Sequence, residues 1–286
     1  MVSPGPCNTY KTLKLNLPRR VACPAINCLV MQSAATIIVI PARMASQRLP
    51  GKPLARIAGR PLIEHVYRRA CESSAGVVVI ATDTPEIATA ATAFGARTVM
   101  TSPRHQSGSD RIAECADLLG WSDDTLVVNL QGDEPLMPPA CLDQAAALLA
   151  GDPGAAAASL YWPITDAAEV ADPNAVKVVV DQDGAALYFS RSVIPHPRGF
   201  PDLDAALQAG VDWKRHIGLY AYRAGALRTF AATPATPLES AEKLEQLRFL
   251  EHGLRVVMAQ AVEFIPGGVD TPADLQRVAN LLAAES

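Results

Sequence analysis

The chain of 286 residues has no CxxC pair: its six cysteines stand apart at positions 7, 23, 28, 71, 115 and 141. A zinc site from Cys23 and Cys28 would lack a second ligand pair, so the thiols read as reduced cysteines of a cytosolic protein. A GxGxxG fingerprint is missing after the first predicted strand, which argues against a dinucleotide-dependent dehydrogenase. The GxxxxGK[ST] loop is missing too, because Gly51-Lys52 is followed by Pro53 and no glycine heads the motif. No Ser–His or Cys–His pair suggests a covalent nucleophile, and there is no internal repeat. The longest apolar piece of the amino-terminal stretch, near Ala25 to Met31, is too short to span a bilayer, and no other segment does better. A net charge of -4 and a pI near 5.8 give no footprint for nucleic acid, so any phosphate site must be local.

One further absence is regional. Residues 1–34 contain Lys11, Lys14, Arg19 and Arg20 but no acidic residue. Such a stretch is a transit peptide or an upstream extension, and the second reading, with a native start at Met31, is favoured.

What is present is an apolar and regular remainder. Hydrophobic residues make up 49% and charged residues 19%, enough for one large core. The run 36–42, "TIIVIPA", predicts a strand buried on both faces. Helical spacing follows from Pro61, then a strand in "GVVVIATD", a helix ending at Gly95, and a strand in "ARTVMT". A helix with Ser109 as N-cap, the strand of "DTLVVNLQGDEP" and a helix from Pro138 complete the first half. Strand–helix alternation with short links implies parallel strands and right-handed crossovers, with ligands beyond the carboxyl ends of the strands. Arg43 to Lys52, Thr82-Asp83 and Gln131 to Glu134 should therefore line one rim.

The second half is less regular. "NAVKVVVDQDGAALYFSR" predicts two strands turning at Asp183-Gly184, and "HPRGFPDLDAALQAGVDW" a mobile loop. "RHIGLYAYRAGAL" predicts a strand and a short helix, and "PLESAEKLEQLRFLEHG" one amphipathic helix with Leu244, Leu247 and Leu250 on a shared face. "LRVVMAQ" and "TPADLQRVANLLAAE" close the chain as strand and helix. The expected organisation is a single domain over 35–286, α/β with a mostly parallel nucleotide-binding sheet, carrying an inserted β-rich lobe at about 173–222.

Three loops carry the chemistry. After the first strand, Arg43, Arg48 and Lys52 are spaced by Ala42, Ala45, Ser46 and Gly51. Small residues let backbone N–H groups approach an anion, and the cations suit phosphate. In "NLQGDEPLMP", Asp133 and Glu134 follow a buried-looking strand, a place suited to Mg²⁺. In "GGVDTP", Asp270 is either a helix cap or a second acid for that metal.

Taken with "HQSGSDR", "PNAVKVV", "ALYFSR", "RHIGLYAYR" and "PLE…EKLEQLR", these stretches resemble, in this order, the CMP-KDO synthetases, the bacterial 3-deoxy-manno-octulosonate (KDO) cytidylyltransferases. The resemblance covers the chain after residue 35. It implies a nucleotide-diphospho-sugar transferase type of fold, CMP transfer from CTP to KDO for lipopolysaccharide synthesis, Mg²⁺ as cofactor and a cytoplasmic homodimer formed through the β-rich lobe. It implies catalytic Arg43, Lys52 and Asp133, with Arg43, Arg48 and Lys52 on the triphosphate. Ser107, Gly108, Ser109 and Gln131 would lie near the nucleoside, and Asp133 and Asp270 would hold the metal. His216, Glu245, Gln246 and Arg191 would meet the sugar acid. Without it, His216 reads as a core histidine, and Glu245 and Gln246 as solvent-facing. The alternatives are transfer to 8-amino-KDO or sialic acid, or nucleotide binding without catalysis.

Overall fold

A computed structural model describes residues 36–46, 48–105 and 107–284. The extension inferred over 1–34, with its start at Met31, lies outside the described residues.

Strand β1 (Ile37–Ala42) leads through a 3-10 turn (Lys52–Leu54) and the short pair β2 (Arg56–Ile57) and β3 (Arg60–Pro61) to α1 (Leu62–Cys71). There follow β4 (Val77–Thr82), α2 (Pro85–Ala93), β5 (Arg97–Met100), α3 (Gly108–Leu118), β6 (Leu126–Asn129) and α4 (Pro139–Gly151). The alternation expected for this half is present. The cap of α3 differs by one turn position: Ser107, not Ser109, is the N-cap and its hydroxyl accepts from Asp110 N.

Beyond α4 come β7 (Ala157–Ile164), α5 (Ala167–Ala171), β8 (Lys177–Val180), β9 (Ala186–Ser190), α6 (Leu203–Gln208) and β10 (Trp213–Arg223). The chain ends with α7 (Ala224–Ala232), α8 (Pro237–Glu242), α9 (Gln246–Glu251), β11 (Val256–Gln260) and α10 (Pro272–Ala284). Three of these depart from expectation. Strand β7 was not anticipated; its small Ala157 and Ala158 carry little β propensity, but both are fully buried between β10 and β11. The stretch expected as a mobile loop contains α6, capped by Asp202 and seated through buried Ala206 on a small core with Trp213, Ile164 and Val170. The single amphipathic helix is broken into α8 and α9, because Lys243 takes a left-handed conformation at φ 56°.

The main sheet runs β11-β7-β10-β6-β1-β4-β5. Its strands are parallel except β10, which lies antiparallel between β6 and β7. The β-rich segment is not a separate sheet: β8 and β9 pair with each other, and β8 joins the main sheet through β10. Alternation along β1 sorts its side chains, with Ile38, Ile40 and Ala42 facing the core under α1, α2 and α4. Ile37 and Val39 face the core under α3, α7 and α9. Because β10 runs backwards, its first residues lie at the carboxyl ends of β6 and β7. That reversal brings residues from both halves of the chain to one rim.

Candidate active site

At the rim, β1 ends in the cationic loop. Gly51, at φ 69°, takes the left-handed position that precedes the 3-10 turn, and Pro53 fixes the turn's first φ values. The turn aims Lys52 inward. Its Nζ donates to Asp133 Oδ2 at 2.6 Å, to the Val269 carbonyl at 3.0 Å and to Asp270 Oδ1 at 3.1 Å. Arg48 reaches the other oxygen of Asp270 at 3.0 Å. Burial works against the Lys52 charge, but the two carboxylates more than offset it and its ammonium is raised above the ordinary value.

Two glycines let these loops meet. A Cβ on Gly132 would sit 2.8 Å from the Pro41 carbonyl, so the chain leaving β6 can cross the end of β1 only without a side chain. A Cβ on Gly268 would lie 2.9 Å from the Asp133 carbonyl and from Glu134 Oε1. The close approach is fixed by Val269 N donating to the Asp133 carbonyl at 2.8 Å. Asp270 is freed from capping α10, since Asp274 and Thr271 form that cap reciprocally and Asp274 also accepts from Asp270 N. Asp133 likewise caps no helix: the N-cap of α4 is Pro138, with no side-chain cap.

Two carboxylates from different loops thus converge on one cation. Among the described residues no cluster of three or more His, Cys, Asp or Glu side chains could enclose a metal by itself. A pair of carboxylates beside a cationic loop is nevertheless a donor set that Mg²⁺ can take, since it keeps waters and accepts further oxygens. Asp133 and Asp270 therefore fit the expected ion. Beside them Glu134 went unassigned from sequence. Burial, then the charges of Asp133 and Asp270, pushes its carboxyl up to about 8, and its Oε2 has no hydrogen-bond partner.

The groove has two connected chambers. One, of about 790 Å³, lies over Arg43, Arg48, Lys52, Asp133 and Asp270. The other, of about 410 Å³, reaches from Ser107 and Gly108 to His216, Glu245 and Gln246. Arg43 and Gln131 line both. Both volumes suit small-molecule ligands. Ser107, the N-cap of α3, and Gly108 and Ser109 of its first turn line this chamber. Arg111 on α3 lines it from below, held by Asp83 at 2.6 Å and by Thr101. Asp83, expected at the rim, is thus a buttress; burial would raise its carboxyl, but hydrogen bonds from Thr84 and Arg111 hold it below its usual value.

The far wall is β10. His216, Gly218, Tyr220 and Tyr222 all line the chamber, as alternate residues of one strand do. That period of two in "HIGLYAY" was the unread signal for both tyrosines. The pairing of β10 with β7 shifts register between Ile217 and Tyr220, next to His216. His216 Nε2 lies 2.8 Å from the Tyr220 hydroxyl, and its ring meets Phe189 edge-on. Burial pushes its imidazole down to about 3, so the ring is neutral. Glu245 and Gln246 enter from the break between α8 and α9. Glu245 accepts from Ser109 at 3.3 Å, and the surrounding protein raises its carboxyl. Gln246 is buried.

Arg191 does not come to the groove. Its Nε donates to the Glu242 carbonyl at 2.8 Å and its Nη1 to the Pro173 carbonyl at 3.0 Å, and neither chamber is lined by it. It sits at the end of β9 against Glu242, outside both chambers.

Comparison with known proteins agrees with this geometry. The cytidylyltransferase family profile matches residues 37–257. The 3-deoxy-manno-octulosonate cytidylyltransferase of Pseudomonas fluorescens SBW25 is 51% identical over 253 residues, covering 88% of this chain and all of its own. That of Saccharophagus degradans is 51% identical over 85% of this chain and 96% of its own. A solved CMP:2-keto-3-deoxy-manno-octonic acid synthetase complexed with CTP superposes with a TM-score of 0.79 at 40% identity, over 88% of this chain and all of that one. A 4-diphosphocytidyl-2C-methyl-D-erythritol synthase, at 16% identity and a TM-score of 0.56, shares the fold. The chain belongs to the cytidylyltransferase family, among the 3-deoxy-manno-octulosonate cytidylyltransferases.

Proposed function

We propose that this chain transfers CMP from CTP to KDO, releasing pyrophosphate, and so supplies an activated sugar for lipopolysaccharide synthesis. One observation carries the reading: a cationic chamber closed by paired carboxylates opens, through Arg43 and Gln131, into a second chamber whose β10 wall is neutral, polar and aromatic. CTP lies with its triphosphate over Arg43, Arg48 and Lys52 and its nucleoside toward Ser107, Gly108 and Gln131. The sugar acid meets His216, Glu245 and Gln246.

The sugar's anomeric oxygen attacks the α-phosphorus. That bond forms as the α–β anhydride breaks, the hydroxyl proton is released, and pyrophosphate departs. Catalysis is positioning and charge neutralisation. Lys52 and Arg43 stabilise charge growing on the leaving group. Neutral His216 orients a sugar hydroxyl without adding charge. Asp133 and Asp270 would hold Mg²⁺, which when bound neutralises phosphate charge and orients oxygens.

Two copies would associate through β8 and β9 in the cytoplasm. Exposed Leu187 on β9, whose strand partner is β8 alone, supports this. No described helix is long and apolar enough to cross a membrane. The test is pyrophosphate release with CTP, Mg²⁺ and a panel of KDO, 8-amino-KDO and sialic acid. KDO should be turned over with the highest kcat/KM; preference for another acid, or no release with any, would reject the assignment.

A further inference from the structure

Arg191 is the one sugar-side candidate that stands outside the groove, and its contacts converge on a single residue of the neighbouring segment. Glu242 is the last residue of α8. Its carbonyl accepts from Arg191 Nε at 2.8 Å, and its carboxylate accepts from Arg191 N at 3.0 Å and from Ser190 Oγ at 2.5 Å. Arg191 is itself anchored. The fully buried Lys177 donates to the Arg191 carbonyl at 2.8 Å and to the Asp172 carbonyl at 2.9 Å. Arg191 Nη1 reaches the Pro173 carbonyl beside it.

Immediately after Glu242 the chain does something costly. Lys243 adopts φ 56°, ψ 45°, a left-handed conformation that residues with a Cβ avoid. Strain of this kind persists where the surroundings over-determine it. The turn swings the chain so that Leu244 is buried, Glu245 reaches Ser109 and Gln246 is buried in the chamber wall. A continuous helix over 237–251, which the sequence pattern favours, would rotate Glu245 and Gln246 away from these positions.

We propose that Arg191 is a positioning residue for the sugar-acid chamber: by clamping Glu242 to the end of β9 it holds the left-handed turn at Lys243 that delivers Glu245 and Gln246. It touches no ligand. The inference rests on the reading that Glu245 and Gln246 meet the sugar acid.

The experiment measures KM for KDO and for CTP separately on the full chain. The variants are Gln246→Ala, Arg191→Ala, Glu242→Ala, the Arg191→Ala/Glu242→Ala pair, and Arg191→Ala/Lys243→Gly beside Lys243→Gly alone. Arg191→Ala and Glu242→Ala should each raise KM for KDO roughly ten- to a hundredfold, as a misplaced contact does, with KM for CTP little changed. The pair should be at least as damaging as either single, because Arg191→Ala removes the bond to the Glu242 carbonyl and Glu242→Ala removes those from Arg191 N and Ser190 Oγ to its carboxylate. Glycine adopts the left-handed turn unaided, so Lys243→Gly should rescue Arg191→Ala to the KM of Lys243→Gly alone. An effect of Arg191→Ala that Lys243→Gly does not rescue would mean that Arg191 meets the sugar acid directly. If Gln246→Ala raises KM for KDO and neither clamp variant does, the clamp is rejected while the site reading stands. If Gln246→Ala also has no effect, the site reading fails and the clamp with it. A clamp variant that fails to fold is judged by the rescue arm, since recovery of fold and KDO affinity by Lys243→Gly still requires the turn to be what was lost.

Discussion

The two chambers of one groove are built on opposite principles. At the cationic end, charges face each other across open loops: Arg48 is 67% exposed and Asp270 48%, and only Lys52, at 15%, is well covered. In the other chamber the wall supplied by β10 carries no charged side chain, although Arg111 and Glu245 line it elsewhere. Tyr220, Tyr222, Phe249 and Phe230 form a ladder of stacked rings, and His216 joins it as a neutral imidazole. Phosphate needs charge, and charge can be placed on mobile loops because its reach is long. A sugar acid must be told from its analogues by the placement of hydroxyls, which takes rigid donors and acceptors set in a packed wall.

If this contrast is right, the largest effect lies among the carboxylates. Asp133→Asn keeps shape but removes a charge from the junction of three loops. It should lower kcat by about three decades, given the several kcal/mol that a metal-holding carboxylate supplies to the transition state. Activity against Mg²⁺ concentration is the measurement, and wild-type turnover at limiting Mg²⁺ would remove Asp133 from the metal site. The same substitution frees Lys52 of its shortest contact, so CTP binding should survive it.

Next in size is Lys52→Ala. A charge-assisted phosphate contact is worth roughly 1.5–3 kcal/mol, about ten- to a hundredfold in kcat/KM for CTP. KM for KDO should hardly move. An equal loss on both substrates would mean that the chambers are not separate in function.

Two glycines sharpen the comparison through stability rather than rate. Gly132→Ala presses a methyl group on the Pro41 carbonyl, a backbone atom that cannot step aside, and should destabilise by about 1–3 kcal/mol. Gly218→Ala meets nothing within 4 Å. It should change stability by less than about 0.5 kcal/mol, yet raise KM for KDO by filling the chamber between His216 and Tyr220. Chemical denaturation beside steady-state kinetics separates the two, and a destabilised Gly218 variant would contradict the open space seen there.

The contrast also explains what could be read from sequence. Parallel-strand loops announce themselves, because a buried strand such as β1 must end at the rim and Arg43, Arg48 and Lys52 follow at once. That Lys52 and Asp133 share one rim needed only the rule that ligands gather at strand carboxyl ends, whereas Asp270, ten residues beyond β11, stays open between helix cap and second acid until the resemblance is added. The sugar wall obeys no such local rule. His216 looks like a core histidine because nothing nearby says that β10 is inserted antiparallel between β6 and β7. Glu245 and Gln246 look solvent-facing because helical periodicity runs unbroken through Lys243; Glu245 is indeed exposed, but Gln246 is buried, and contacts from the end of β9, far away in sequence, accompany the break that buries it. Strand β7 was invisible for a related reason: alanines become strand residues there through burial on both faces, a tertiary effect.

The smallest expected effect is an absence, and it bears on the neutral wall. His216 in the folded chain takes a proton only near pH 3, against an ordinary value of 6.5, because burial disfavours its charged form. Between those two values the unfolded chain binds more protons at this ring than the folded one. Folded-state stability is therefore fully present above about 6.5 and is lost progressively as the pH falls toward 3. Replacing the ring with an uncharged group, His216→Gln, should flatten that part of the stability profile. Function follows the same logic: from pH 5 to 8 the ring is neutral throughout, so KM for KDO should show no inflection near 6.5. Titration of the ring by NMR, with KM for KDO across the same range, checks both. A midpoint near 6.5 would place a charge switch on the β10 wall and erase its contrast with the cationic chamber.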